Sequence, residues 1–436
     1  MGQIGFEDCD TPLNTRLSAR YKRSFAYPSF KDRIPVILTK VIDHLVRDKE
    51  SIIAHFGEKA REEVKNVIGY VSQLKNELMT DKPLTELSSL GSDHELWNRI
   101  LSDKTKEHSR PPTWFQTEWL YAECYLYRRL HEAFLQTEAI KHLDPFHWQK
   151  TKALENSLVQ AEILAQHVNK IVSNNADSSE TEQLFYEFLK ISLWGNKCDL
   201  SLSGGTEICL QENPLNQVLK YDSFILADDS QCVLKHLADS PKGTIDFVLD
   251  NAGYEVFTDL CLAEFLLSKF DEHKVLFRTK AFPWYVSDVI AKDIHYILNT
   301  LKEKKGELAE CANRWQSLFD SGKFQIVENQ FWTTPCVYAD MEEVDPKLYG
   351  ELKESKLIIF KGDLNYRKLD SDINWPPTTP FSQCLKGFHP APLVSLRTLK
   401  CDTIGGLQPG KAEQAASQSE SWMVTGDFAV IQFDSS

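Results

Sequence analysis

The feature that most constrains this chain is an alternation in its second half. Short, almost wholly apolar β-type runs are separated by runs with helical spacing. Thr244–Leu249 (TIDFVL) precedes a helical pattern over Tyr254–Lys269, and Lys274–Phe277 (KVLF) precedes one over Trp284–Leu301. Phe324–Val327 (FQIV), Leu357–Phe360 (LIIF), Leu393–Leu396 and Phe428–Phe433 add four more strands, with a helix near Leu348–Lys353. A strand that is apolar at successive positions is buried on both faces, and an intervening helix returns the chain for parallel pairing. The pattern therefore predicts an α/β fold with a mainly parallel sheet covered on both sides.

The first half carries a different period. Apolar residues recur at Ile34, Ile37, Leu38, Val41, Ile42 and Leu45, then at Ala60, Val64, Val67, Ile68, Val71, Leu74 and Leu78. Each set is one stripe of an amphipathic helix. Two further helical stretches run from Trp114 to Phe134 and from about Pro145 to Val172. The polar stretch Ser173–Thr181 reads as a surface loop, and Gln408–Ser421 as a mobile excursion before the last strand. The expected organisation is a helical region over 1–180 packed on an α/β core over 181–436.

Composition narrows the function. The formal net charge is -14. Phosphate backbones are repelled by such a chain at long range, so direct nucleic-acid binding is not expected. A polybasic membrane anchor is absent, and the longest apolar stretch, Leu260–Phe270, contains Glu264 and Lys269 and is too short to span a bilayer. The first residues show no secretory pattern, and Phe6 breaks the myristoylation motif. Ten cysteines are scattered without C-x-x-C spacing, the pattern of free thiols. Cytosolic or nucleocytoplasmic residence is expected.

Open α/β sheets bind ligands beyond the carboxyl ends of their strands. The first of these ends is Asp250-Asn251-Ala252-Gly253-Tyr254-Glu255. Its Asp and Asn oxygens are hard donors suited to a divalent cation, and the helix start favours an anion. The same residues equally make an ordinary capped turn. The second end offers Arg278 and Lys280 for a phosphate, with Asp288 further along as a third oxygen ligand or a solvated helix residue. After Leu357–Phe360 comes Lys361-Gly362-Asp363-Leu364-Asn365-Tyr366-Arg367, where Arg367 suits bidentate phosphate recognition. Lys400, in Arg397-Thr398-Leu399-Lys400, is a phosphate partner or a solvated strand end. Walker, dinucleotide, zincin and nucleophile-elbow motifs are all missing.

Taken in order, Asp250–Glu255, Pro283–Asp288, Phe360–Arg367 and Arg397–Lys400 resemble the damage-control phosphatase family, in its subfamily with an Arg-Thr-x-Lys motif. Lys31–Pro35, Leu193–Ser201 and Gly387–Pro392 extend the resemblance over nearly the whole chain. It implies a three-layer α/β/α Rossmann-like core behind a helical N-terminal part. It also implies a divalent metal (Mn, Co or Ni, with Mg an alternative) on Asp250, Asn251 and Asp288, which would form the catalytic set. Substrate would meet Asp363, Leu364, Asn365, Tyr366, Arg367 and Lys400, with Glu255 at the edge. The implied substrates are small phosphorylated metabolites such as fructose 1-phosphate and fructose 6-phosphate. A second activity attached to the family is S-adenosylmethionine-dependent methylation of protein glutamates, with the DNA sliding clamp as target. That reading lacks the Gly-rich turn that commonly cradles the cofactor. A third reading is a non-catalytic interaction module.

Overall fold

A computed structural model describes residues 5–173, 178–198 and 213–435. Seven strands form one sheet: β1 (Ile225–Asp228), β2 (Thr244–Val248), β3 (Lys274–Thr279), β4 (Phe324–Glu328), β5 (Ser355–Lys361), β6 (Leu393–Thr398) and β7 (Ala429–Asp434). Their spatial order is β1-β7-β6-β5-β2-β3-β4. Every pairing is parallel except β6 with β7.

The pleat sorts each strand's residues onto two faces. Ile245, Phe247, Leu357, Ile359, Val394, Leu396, Ala429 and Ile431 join one buried cluster, under helices Ser178–Gly195, Tyr254–Lys269, Ala291–Lys302 and Glu307–Asp320. Val248, Ile358, Phe360, Leu393 and Val430 join another, under the segments around Phe331, Tyr338, Leu348, Leu369 and Phe388. Helix–sheet–helix layering follows from strands apolar on both sides. A third cluster, chiefly residues 17–146, holds the N-terminal helices around the aromatic helix Trp119–Leu135. Trp284, Tyr285, Val286, Leu364 and Cys401 from the sheet's loops complete it, so the helical part is seated on the loops that leave the sheet. No helix among the described residues is long and apolar enough to cross a membrane.

The expected strands are all present, extended by a residue or two in several cases. Six expectations need correction. The helix expected from Trp114 begins at Trp119, and the stretch from about Pro145 to Val172 is two helices, His147–Asn156 and Leu158–Ser173. The helix expected from Trp284 begins only at Ala291. Pro283 and positive φ at Tyr285 (42°) and Val286 (70°) hold 284–290 as a loop, with Trp284 fully buried and the Tyr285 ring stacked 4.5 Å from Tyr127. Asp363–Arg367, taken as a strand-end loop, lies in helix Gly362–Leu369. The Gln408–Ser421 excursion contains a helix, Lys411–Gln418. Ser178–Thr181 is helical, while 174–177 of the expected loop lie outside the described residues, as do Asp199–Ser201 of the resembling segment.

Candidate functional site

The sheet runs β2 to β3 to β4 in one direction and then returns to place β5 on the other side of β2. Loops leaving β2 and β5 therefore diverge, and the crevice between them is the switch point where such sheets bind ligands. A small cleft opens there, with room of about 40 Å³, lined by Arg33, Trp119, Glu123, Asp250, Asn251, Tyr285, Asp288, Asp363, Leu364, Arg367 and Lys400.

Asp250 follows β2 and is 4 % exposed. Its carboxylate fits because β5 ends in Gly362 at φ +80°. A Cβ on that residue would overlap the Asp250 carboxylate and stand 2.8 Å from its Cβ. Only glycine combines that backbone with that approach. Asp250 Oδ2 accepts hydrogen bonds from Asn196 Nδ2 (2.7 Å) and Asn251 Nδ2 (2.8 Å). Asn251 Nδ2 also donates to Glu255 Oε2 at 2.8 Å, and its Oδ1 accepts from Ser287 Oγ at 2.6 Å.

The loop 284–290 is pinned beside the β2 end. Val289 N donates to Asp250 O, Ala252 N donates to Ser287 O, and Asn251 and Asp288 form a single bridge. Asp288 is thereby buried next to Asn251, with Lys280 Nζ 3.1 Å from its Oδ2. Three hard oxygen-bearing side chains line one cleft, as a divalent cation requires. They comprise two carboxylates and an amide. No group of three or more His, Cys, Asp or Glu side chains poised for a metal occurs among the described residues.

Cations and an aromatic wall face this acidic pole. Lys400 Nζ donates to Asn196 O and Oδ1, and its backbone N–H donates to Asp363 Oδ1. Asp363 also receives Arg397 Nε at 2.8 Å. Arg367 spans Asp372 and Glu123 (2.7 and 2.8 Å), and its guanidinium lies 3.7 Å from the centre of the Trp119 ring. Burial works against the Arg367 charge, and Asp372 and Glu123 outweigh it, holding its pKa well above the ordinary value. Glu123 is fully buried and accepts a second arginine, Arg33 NH2, at 2.7 Å.

Trp119 and Glu123 reach the cleft together because they are one turn apart on the helix Trp119–Leu135. Arg33 ends the π-turn Ser29–Arg33. Motif reading missed Trp119 and Glu123 and gave Arg33 no role. Arg33's place in the resembling Lys31–Pro35 run was the available signal.

Of the residues singled out from sequence, Asp250, Asn251, Asp288, Asp363, Leu364, Arg367 and Lys400 line the cleft. Glu255, Asn365 and Tyr366 do not. Glu255 stands behind it, accepting from Asn196 and Asn251 and lying 3.2 Å from Lys361. Asn365 ties Tyr338 OH to the carbonyls of Val248, Leu249 and Lys361. Tyr366 lies on the far side of its helix, its hydroxyl donating to Gln432. Arg278 is buried against Asp246 and Glu351, so it does not serve the cleft. Lys280 supports the loop through Leu249 O and Asp288.

Beneath the site, Lys361 Nζ meets Ser192 and Asp259 Oδ1 (2.6 Å) as well as Glu255. Burial opposes its charge, but the two carboxylates hold its pKa above the usual lysine value. This cation neutralises the acidic pole from below.

Sheet and cleft define an α/β protein with a polar cleft at the switch point, lined by both carboxylates and cations. The chain belongs to the damage-control phosphatase ARMT1-like family, whose domain matches residues 29–415. Damage-control phosphatase ARMT1 of Mus musculus is 42% identical over 429 residues, covering 96% of this chain and 98% of its own. The Homo sapiens protein of that name is 40% identical over 431 residues with the same coverage, and that of Danio rerio 39% over 432 residues, 96% of each.

Proposed function

We propose that this protein is a divalent-metal-dependent phosphomonoester hydrolase acting on small sugar phosphates, fructose 1-phosphate and fructose 6-phosphate among them. The observation that carries the reading is the two-poled cleft. Asp250, Asn251 and Asp288 bring hard oxygens to one side, and Lys400, Arg367 and Arg33 bring cations to the other. The donor set fits a hard divalent ion such as Mn²⁺, held by Asp250, Asn251 and Asp288. When bound, such an ion offsets phosphoryl charge and activates water.

The chain's own residues do the rest. Lys400 pairs with non-bridging phosphoryl oxygens, and Arg367 and Arg33, held by Asp372 and Glu123, present fixed guanidinium donors on the far wall. Phosphoryl transfer asks chiefly for positioning and charge stabilisation, which buried, prearranged groups supply. Asp363 and Glu123 are acceptors for sugar hydroxyls, and Trp119 and Tyr285 offer flat apolar faces.

The test is phosphate release from fructose 1-phosphate by metal-stripped protein, with and without Mn²⁺, beside Asp250→Ala. Release that depends on Mn²⁺ and falls at least ~100-fold in the variant is expected. A folded wild type that releases nothing from a panel of sugar phosphates and metals sinks the reading, and methyl transfer or a binding role then takes its place.

A further inference from the structure

The helix Ser178–Gly195 ends against the helix Tyr254–Lys269 without a side chain between them. A Cβ on Gly195 would stand 2.5 Å from Thr258 Oγ1 and 3.4 Å from Glu255 Cα. This close approach sets the next residue, Asn196, behind the cleft lining of Asp250 and Lys400, where it is fully buried. Its side-chain nitrogen donates to Asp250 Oδ2 and to Glu255 Oε2, both at 2.7 Å. Its side-chain oxygen accepts from Thr398 Oγ1 and from Lys400 Nζ, both at 2.6 Å. Its backbone carbonyl accepts from Lys400 Nζ at 2.7 Å.

We propose that Asn196 is a positioning residue for the reaction: one amide that sorts the charges of the site, carboxylates to its NH2 side and Lys400 to its oxygen side. The inference rests on the reading above, in which Asp250 and Lys400 act on a phosphate. The chemistry leaves little choice of residue. The position needs two donors, toward two carboxylates, and an acceptor toward a cation, all on a short stem. Aspartate would place a third anion beside Asp250 and Glu255 and give Lys400 a counter-charge that competes with phosphate. Alanine would leave two buried carboxylates short of a donor. Thr398 fixes which way the amide faces, because its hydroxyl donates to the oxygen. This gives the Thr of Arg397-Thr398-Leu399-Lys400 a role alongside that of its lysine.

The experiment compares wild type, Asn196→Asp and Thr398→Val, by calorimetric binding of inorganic phosphate to the Mn²⁺-loaded protein and by steady-state phosphate release. Asn196→Asp is expected to bind phosphate at least ~10-fold more weakly at pH 7.5 and to lose ~100-fold or more in kcat. Thr398→Ser, which keeps the hydroxyl donor to Asn196 Oδ1, should recover the kcat that Thr398→Val loses, a rescue that a mere packing lesion does not give. Thr398→Val should keep its fold and lose ~10-fold in kcat, so it carries the test if Asn196→Asp fails to fold. Either variant folded with phosphate affinity and kcat within twofold of wild type overturns the proposal, as does a Thr398→Ser protein no more active than Thr398→Val. A wild type that binds phosphate but hydrolyses no ester defeats the hydrolase reading alone, since the binding contrast still decides the role of Asn196. A wild type that binds no phosphate overturns both.

Discussion

Replacing Gly362 with alanine tests how closely the two strand ends are fitted. The substitution acts twice. Its φ of +80° costs a Cβ-bearing residue about 1–2 kcal/mol. The new Cβ also overlaps the Asp250 carboxylate and lies 2.8 Å from Asp250 Cβ, where carbon atoms ordinarily rest ~3.5–4.0 Å apart. Asp250 must therefore retreat by about 1 Å or more, stretching the bonds it receives from Asn196 and Asn251. Charge-assisted hydrogen bonds contribute about 1.5–3 kcal/mol each, so a total destabilisation of about 3–5 kcal/mol is expected if they are partly lost. A displacement of ~1 Å at a reacting centre costs ~100-fold in rate. Gly253→Ala is the control. It too has positive φ (+78°), but nothing stands nearer than 3.6 Å to its Cβ, so it should lose stability without comparable loss of turnover. Urea unfolding, Mn²⁺ calorimetry and phosphate release on both variants complete the comparison. A folded Gly362→Ala protein with kcat and Mn²⁺ affinity within threefold of wild type would refute the reasoning.

Three other perturbations follow from buried charge. Glu123→Gln removes the anion shared by Arg33 and Arg367. A loss of about 3–5 kcal/mol in urea unfolding and a raised KM are expected, and an unchanged midpoint would contradict this. Lys361→Met leaves Asp259 and Glu255 without their cation. It should cost a similar ~3–5 kcal/mol at pH 7 and less at pH 5, below the Asp259 pKa that burial raises to about 6, as unfolding curves at the two pH values will show. His131, stacked 3.9 Å from Phe282, has its pKa pushed down to about 3, chiefly by burial, with the Arg128 charge adding to it. A depressed histidine contributes stability that is complete above its unfolded value of ~6.5 and is lost as pH falls toward 3, about 2 kcal/mol by pH 5. His131→Phe should remove that part of the acid sensitivity, measured as the difference in unfolding free energy between pH 7 and pH 5.

The sheet was legible because strands buried on both faces carry a signal that needs no partner to interpret, as in TIDFVL and LIIF. The four-residue edge strand β1, half exposed at its end, carries no such signal and was not anticipated. The segment 284–290 imitates a helix because its large apolar residues are spaced for burial. The burial is against Tyr127 and its neighbours, and the backbone accepts positive φ to achieve it. In the cleft, residues contributed by strand ends could be named from their place after an apolar run. Trp119 and Glu123 could not, because they sit on a stripe whose spacing reads as core packing. What brings them to Arg367 is a contact between positions 244 residues apart. Asn365 and Tyr366 fall outside the cleft lining for a simpler reason. A loop presents consecutive residues to one ligand, whereas the helix Gly362–Leu369 turns each by about 100° and sends Tyr366 to the opposite side.

Because the cleft draws Arg33, Trp119 and Glu123 from the N-terminal helical part and Asp250, Asp288, Arg367 and Lys400 from segments that leave the sheet, its walls answer to different parts of the stability of the molecule. Proteins open in cooperative units whose free energies lie below that of global unfolding. An opening confined to the N-terminal helices would withdraw Arg33, Trp119 and Glu123 while leaving Asp250, Asp288, Arg367 and Lys400 in place on the sheet. Discrimination among ligands would then fade before cation affinity does as denaturant or temperature rises. A substitution deep in those helices, far from any reacting atom, would relax selectivity first.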